Sequence, residues 1–362
     1  MQNNDHIRPK GMRLRARLLH WLGLHFGLQV KVYHGYGHTE QMVIYGHVLK
    51  LGPKPPRRYR KSVVHNAIAL LRLFIVKPVA GALVEMEWEG KKYSGHTDTD
   101  GFFAFKWTDD PPLRTGWHDV RVTVHSAEGV AKNKAVGAVY VPHQTQYGFI
   151  SDIDDTFLVS HSAHMGRRLK VLFTQNARSR KPFEGVVRHY QMLALGNTTP
   201  DAPNPFFYVS SSEWNLYDYI LEFTGVNGLP RGVFLLNVLK EFGQIFKTGQ
   251  NNHHTKFTRI VRILEAYPSQ RFVLLGDSSQ QDPYIYESLV RHFPGRIQAV
   301  YIRDVFEQSR AKVQEVLIKI EQAGVPYCFF KHSDEAILHS RKIGLISDKE
   351  MAVGTGSPVL QQ

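Results

Sequence analysis

Between about residues 29 and 142 apolar and polar residues alternate in short runs, a period of two that predicts β-strands. Leu83-Val-Glu-Met-Glu-Trp88 and Asp119-Val-Arg-Val-Thr-Val-His125 show it most clearly. Asp98-Thr-Asp-Gly101, lying between Tyr93 and Phe102-Phe-Ala-Phe105, has the chemistry of a hairpin turn. Together these segments predict an antiparallel β-sandwich over 29–142. From 145 to about 335 short continuous apolar runs alternate with helix-periodic stretches. That pattern predicts an α/β domain, a doubly wound parallel sheet with helices on both faces. Before these two domains, Leu14, Leu18, Trp21, Leu22 and Phe26 recur at helical spacing among Arg13, Arg15 and Arg17. They predict a basic amphipathic helix within residues 1–28. Residues 336–362 read as a polar tail.

Two of the apolar runs end in carboxylates. Tyr147-Gly-Phe-Ile150 leads into Asp152-Ile-Asp154-Asp-Thr156, and Arg271-Phe-Val-Leu-Leu275 leads into Gly276-Asp277-Ser-Ser-Gln-Gln-Asp282. Ligand sites of open α/β sheets lie outside the carboxyl ends of the strands, so both clusters are expected in one crevice. Side chains alternate along a strand, which places Asp152 and Asp154 on one side and turns Asp155 away. Carboxylates so close do not ionise together without cost, and a hard divalent cation is the usual remedy. We therefore expect Mg²⁺ held by Asp152, Asp154, Asp277 and Asp282.

The same residues supply a phosphoryl-transfer mechanism. Asp152, nearest the strand, is the expected nucleophile, and Asp154 the general acid for the leaving alcohol and base for the attacking water. Charge developing on the transferred group needs fixed donors and cations. Ser210, after the apolar run Pro205-Phe-Phe-Tyr-Val209, offers a hydroxyl, and Lys256 offers a positive charge. Taken singly these signals are weak: Asp-x-Asp is commonly a solvated turn, and a lysine opening a helix-patterned stretch is ordinarily exposed. Their order along the chain is what carries the reading.

That order resembles the haloacid dehalogenase superfamily, in which Asp-x-Asp-x-Thr is followed by Ser or Thr after a strand, then Lys, then Gly-Asp with a further Asp. More narrowly, Ser151-Asp-Ile-Asp-Asp-Thr156, Tyr208-Val-Ser-Ser-Ser-Glu-Trp-Asn-Leu-Tyr217, Phe272 to Tyr286 and Val300-Tyr-Ile-Arg-Asp304 resemble the phosphatidate phosphatases typified by the actin patch protein of yeast. The resemblance implies a haloacid-dehalogenase-like fold, with the basic insert between Thr156 and Phe183 as a small cap. It also implies Mg²⁺-dependent hydrolysis of phosphatidic acid to diacylglycerol. Two positions depart from the family pattern, Glu213 after Ser-x-Ser and Ser279 after Gly-Asp-Ser. Glu213 adds negative charge close to an anionic substrate.

Composition narrows the partners. The 362 residues carry 45 Lys and Arg against 32 Asp and Glu, a formal charge of +13. Such a surplus favours polyanions. An anionic membrane surface is the expected one, since Trp21 and the arginines around it suit an interfacial helix, and nucleic acid is the less favoured partner. The basic loop from Lys54 to Lys61 is expected to be solvated. The one cysteine excludes an internal disulfide and a thiolate metal cage. No apolar run approaches the ~20 residues that span a bilayer, so a cytoplasmic protein with peripheral membrane association is expected. Two rival readings are a soluble phosphatase for a nucleotide, sugar phosphate or nucleic-acid 3′-phosphate end, and a membrane-recruited binding module with a lapsed site.

Overall fold

The structure, a computed structural model, describes residues 24–38, 41–53, 72–108, 114–143, 147–153, 181–237, 252–279 and 281–347. Outside these lie several segments singled out above: the arginine-rich stretch before Leu24, the basic loop from Lys54 to Lys61, Asp154 to Thr156 with most of the basic insert, and residues 348–362.

Among the described residues the first half forms nine strands: β1 (Leu24–Val32), β2 (Gly35–His38), β3 (Gln41–Pro53), β4 (Lys77–Pro78), β5 (Leu83–Trp88), β6 (Lys91–His96), β7 (Phe102–Trp107), β8 (Gly116–His125) and β9 (Ala131–Val141). They join in one mainly antiparallel sheet in the order β1-β3-β2-β9-β8-β5-β6, with β4 and β7 also paired to β3. The alternation works as expected. Val84, Met86 and Trp88 of β5 meet Val120, Val122 and Val124 of β8, Met42, Ile44 and Val48 of β3, and Phe103, Phe105 and Trp107 of β7 in one core.

Two expectations are corrected here. The helix within 1–28 does not extend to 28, because β1 begins at Leu24 and pairs with β3 from Leu24↔Pro53 to Val32↔Gly46. From Leu28 onward the apolar residues also have a period of two, and a partner strand satisfies the backbone where an isolated helical turn would not. The second concerns Asp98–Gly101. Its turn forms, with the Gly101 amide donating to Asp98 O at 3.1 Å and Gly101 at φ +73°. Yet β6 pairs with β5 and β7 with β3, so the turn passes the chain from one arm of the sheet to the other. Docking decides this: the Val48 amide of β3 donates to Gly101 O at 2.8 Å, and a side chain at 101 would sit 2.8 Å from Val48 O.

The described residues of the second half form a six-stranded parallel sheet of β10 (Gly148–Asp152), β11 (Phe206–Glu213), β12 (Gly232–Asn237), β13 (Phe272–Asp277), β14 (Ile297–Arg303) and β15 (Tyr327–Phe330), ordered β12-β11-β10-β13-β14-β15. The first three strands run outward one way and the next three the other. The order therefore reverses between β10 and β13, and a crevice opens at that point. Six helices accompany the sheet among the described residues: α1 (Val186–Leu195), α2 (Tyr217–Val226), α3 (Asn252–Ala266), α4 (Asp282–His292), α5 (Arg310–Gln322) and α6 (Ser333–Lys342). The boundary at 335 is also corrected. α6 opens with a His332–Glu335 capping box and buries Ala336, Ile337 and Ser340, and Leu345 and Ile346 beyond it are buried too. A narrow stripe of small and apolar residues is enough to dock a helix whose other faces are polar.

The two halves share a second core. Tyr33, Tyr36, Tyr45 and Tyr140 pack with Phe207, Trp214, Tyr217 and Tyr267, and Gln270 Nε2 donates to His143 O at 2.9 Å. One buried and one half-buried histidine lie there. His34 Nδ1 meets Gly232 O at 2.8 Å, and His47 Nδ1 meets the Tyr33 hydroxyl at 2.9 Å. Burial pushes both imidazoles down to about 4. The unfolded chain, titrating near 6.5, then binds more protons than the folded one between about pH 6.5 and 4, so stability is complete above 6.5 and is lost as pH falls through that window. At pH 5 the loss is on the order of 1–2 kcal/mol for each histidine. We expect the melting temperature to fall less between pH 7 and pH 5 in His47→Gln, which has no proton to gain, than in the wild type. Equal falls in both proteins would contradict the assignment.

Candidate active site

Asp152 closes β10, between Val209 of β11 and the end of β13, and is 1% exposed. The strand end is held from below: the Ser151 hydroxyl donates to Asp152 O at 2.7 Å and lies 2.8 Å from the Tyr190 hydroxyl of α1. Asp277 closes β13. The chain then turns through Ser278 and Ser279 and enters α4 at Asp282, followed by Pro283 at a position where a missing N–H costs nothing. Asp282 thus sits at the positive end of its helix. Gly276 is required by this close approach, since a side chain there would lie 2.7 Å from Asp282 Oδ2 and 2.9 Å from the Tyr286 ring.

Lys256, in the first turns of α3, is 3% exposed. Its Nζ lies 2.8 Å from Asp152 Oδ1 and also bonds Asp282 Oδ1. Burial works against the ammonium, but Asp152 and Asp282 more than offset it and its pKa is raised. The lysine is therefore charged at any working pH. Oxygens of Asp152, Asp277 and Asp282 all lie within 4.8 Å of one another. Among the described residues three buried carboxylates share one buried ammonium. Burial and the neighbouring Asp282 push Asp277 up to about 7, although the Ser279 amide donates to its Oδ1 at 2.5 Å. The donor set is oxygen alone, hard and anionic, from three separate elements. It is fit to hold a hard divalent cation.

Of the residues expected from the sequence, Asp152, Asp277, Asp282 and Lys256 are brought together. Asp154, expected to be both acid–base catalyst and metal ligand, lies outside the described residues. Ser210 is fully buried one residue beyond Val209, the β11 partner of Asp152, and its Oγ accepts the Ser212 amide at 2.9 Å. Glu213 stands at the far end of β11, opposite Asn237 of β12.

Three supporting residues escaped the sequence reading. Arg259, one turn after Lys256, donates from Nη1 to Ser210 O at 2.9 Å, so a single helix reaches both the carboxylates and the serine segment. The i, i+3 spacing from Lys256 is the signal that marks it. Ser278 Oγ accepts the Val305 and Phe306 amides at 3.0 and 3.1 Å, tying the Asp277 turn to the end of β14. Tyr286 of α4 donates to Leu275 O at 2.9 Å. Neither of the last two has a local sequence signal.

Fold and site together define an α/β domain with a buried acidic, cation-fit cluster at the point where its sheet reverses. Residues 147–304 match the family model described as the catalytic domain of phosphatidate phosphatase APP1. The chain is similar to the phosphatidate phosphatase APP1 of Saccharomyces cerevisiae, with 31% identity over 159 residues, which are 43% of this chain and 25% of the yeast protein. An uncharacterized protein of Schizosaccharomyces pombe is 25% identical over 158 residues, with the same coverage of 43% and 25%. The matched region therefore spans about a quarter of the length of each relative.

Proposed function

We propose that this chain is a Mg²⁺-dependent phosphatidate phosphatase that hydrolyses phosphatidic acid to diacylglycerol and phosphate. The observation that carries the reading is the buried Asp152–Asp277–Asp282 cluster bridged by Lys256 within the matched catalytic domain. In this reading the domain has the haloacid dehalogenase fold, preceded by a β-sandwich. The strand order supports the first part, and the single core shared by both arms of the nine-stranded sheet supports the second.

Asp152 attacks phosphorus, and the bond to the lipid oxygen breaks with a proton delivered by Asp154. Water that gives its proton back to Asp154 then displaces Asp152 and releases phosphate. Lys256 and the Ser210 hydroxyl meet the charge on the phosphoryl oxygens, and Arg259 keeps Ser210 in place. Asp152, Asp277 and Asp282, joined by Asp154, would hold Mg²⁺, which when bound would supply positive charge against the incoming dianion. The convergence of three buried carboxylates within 4.8 Å of one another supports a bound cation as part of the working site. The protein is read as cytoplasmic and peripheral on anionic membranes, supported by the +13 surplus and the arginine-rich segment before Leu24.

One experiment tests substrate and location together. Phosphate release is measured from phosphatidic acid in vesicles that are then floated, and from a panel of soluble phosphate esters, with and without EDTA. We expect Mg²⁺-dependent release from the vesicles, with protein in the floated fraction. Faster turnover of a soluble ester would favour the soluble phosphatase, and flotation without any turnover the binding module.

A further inference from the structure

The segment that carries Ser210 is held at its far end by the other half of the protein. After β11 the chain makes a single tight turn, Trp214–Leu216, before α2, and only Ser211, Ser212 and Glu213 separate Ser210 from Trp214. Tyr33, in the link between β1 and β2, stacks on the Trp214 ring at 4.1 Å with planes 14° apart and packs against Tyr217 at 4.6 Å. Asn215 Nδ2 donates to Leu73 O at 3.0 Å, and the His34 amide donates to the Tyr217 hydroxyl at 3.0 Å. Tyr33 is itself fixed: it is fully buried and bonded through its hydroxyl to His47.

The same segment is gripped at its near end by Arg259 of α3 through Ser210 O. It is thus fixed at both ends, once by the helix that carries Lys256 and once by the β-domain. The contacts concentrate on the turn after Ser210. Tyr33, His34, His47 and Leu73 all lie outside residues 147–304, the span of the catalytic family model. A reacting group misplaced by about 1 Å loses on the order of a hundredfold in rate, so a second anchor on this segment has a direct catalytic consequence.

We infer that the N-terminal β-domain is a working part of the catalytic unit, with Tyr33 as a positioning residue that holds the Trp214 turn and through it Ser210. The inference rests on the phosphatase reading for the task of Ser210.

The test uses the full chain and two readouts, taken well below each variant's melting temperature. These are kcat and KM on a soluble phosphate ester, and the affinity for inorganic phosphate by titration calorimetry. Tyr33→Leu removes the stacked ring. We expect kcat to fall at least about tenfold and phosphate affinity to weaken by a similar factor, a fraction of the full cost of misplacement. Tyr33→Phe keeps the ring and should restore both. Lys31→Gln removes the peripheral Lys31–Asp218 ion pair, 2.7 Å long, and should change neither. A Tyr33→Leu protein that melts earlier yet keeps wild-type kcat and phosphate affinity would show an interface that only stabilises, and the inference would fall. Should Tyr33→Leu not fold, Asn215→Ala, which cuts the bond to Leu73, is judged by the same two readouts. A wild type that hydrolyses neither the soluble ester nor phosphatidic acid in vesicles refutes the phosphatase reading by itself, and phosphate affinity then decides the clamp: weakened in Tyr33→Leu, it stands; unchanged or absent in the wild type, it falls.

Discussion

Replacing Asp152 with Asn should abolish phosphate release while leaving the fold intact. The amide keeps the size of the carboxylate, and its oxygen still accepts from Lys256 Nζ, which lies 2.8 Å from Asp152 Oδ1. What it loses is the attacking charge. Without a nucleophile the two-step transfer has no first step, and a rate loss of at least about 10³-fold is expected, in the range found when nucleophiles or acid–base groups are removed. Stability should move the other way or not at all, because one of three buried carboxylates has been neutralised beside a single ammonium. Initial rates and thermal melts on the same preparation check both halves. Retention of more than about a tenth of the wild-type rate would remove Asp152 from the role of nucleophile.

Lys256→Met should damage both stability and activity. Methionine matches the length of the lysine stem but leaves Asp152 and Asp282 buried at 1% and 0% exposure without their cation. Breaking a buried ion pair from one side costs about 3–5 kcal/mol, because the remaining charge stays desolvated. For a chain of this size that is a fall in melting temperature of about 10 °C. A divalent cation would then be the main remaining counter-charge to the cluster, so added Mg²⁺ should raise the melting temperature of the variant more than that of the wild type. Turnover should drop by at least about 10²-fold even with saturating Mg²⁺, since the charge that meets the phosphoryl oxygens is gone. A variant that melts with the wild type would show that the carboxylates do not depend on Lys256.

Both expectations turn on a convergence that the chain only half announces. Asp152 and Asp277 were legible because each closes a continuous apolar run, and a strand buried on both faces is recognisable from its own residues. Their meeting in one crevice followed from a general rule about parallel sheets. The reversal of strand order between β10 and β13 is the reason it holds in this molecule. Lys256 shows where local reading stops. A lysine at the start of a helical pattern is ordinarily solvated, and nothing within a few residues of it foretells burial to 3%. Only the packing of α3 against β11 and α4 makes it the counter-ion of two aspartates. Arg259, one turn along, inherits its task from that placement.

The sequence by itself determined the elements whose cause is local: the alternating strands of the first half, the turn at Asp98–Gly101, the buried parallel strands and the carboxylates at their ends. Burial with a period of two and turn chemistry act over a few residues, so they survive in the linear pattern. Pairing is not local. The sequence could not say that β7 leaves β6 for β3, that residues 24 to 28 join a strand, or that Ala336, Ile337 and Ser340 dock a helix, because each depends on a distant surface waiting to be covered. The stacking of Tyr33 on Trp214 is the extreme case, two aromatic residues far apart in the chain, with no pattern linking them. Apolar burial is non-directional and falls to whichever surfaces the topology brings together, so the tertiary structure alone decided that the β-domain meets the turn beside Ser210.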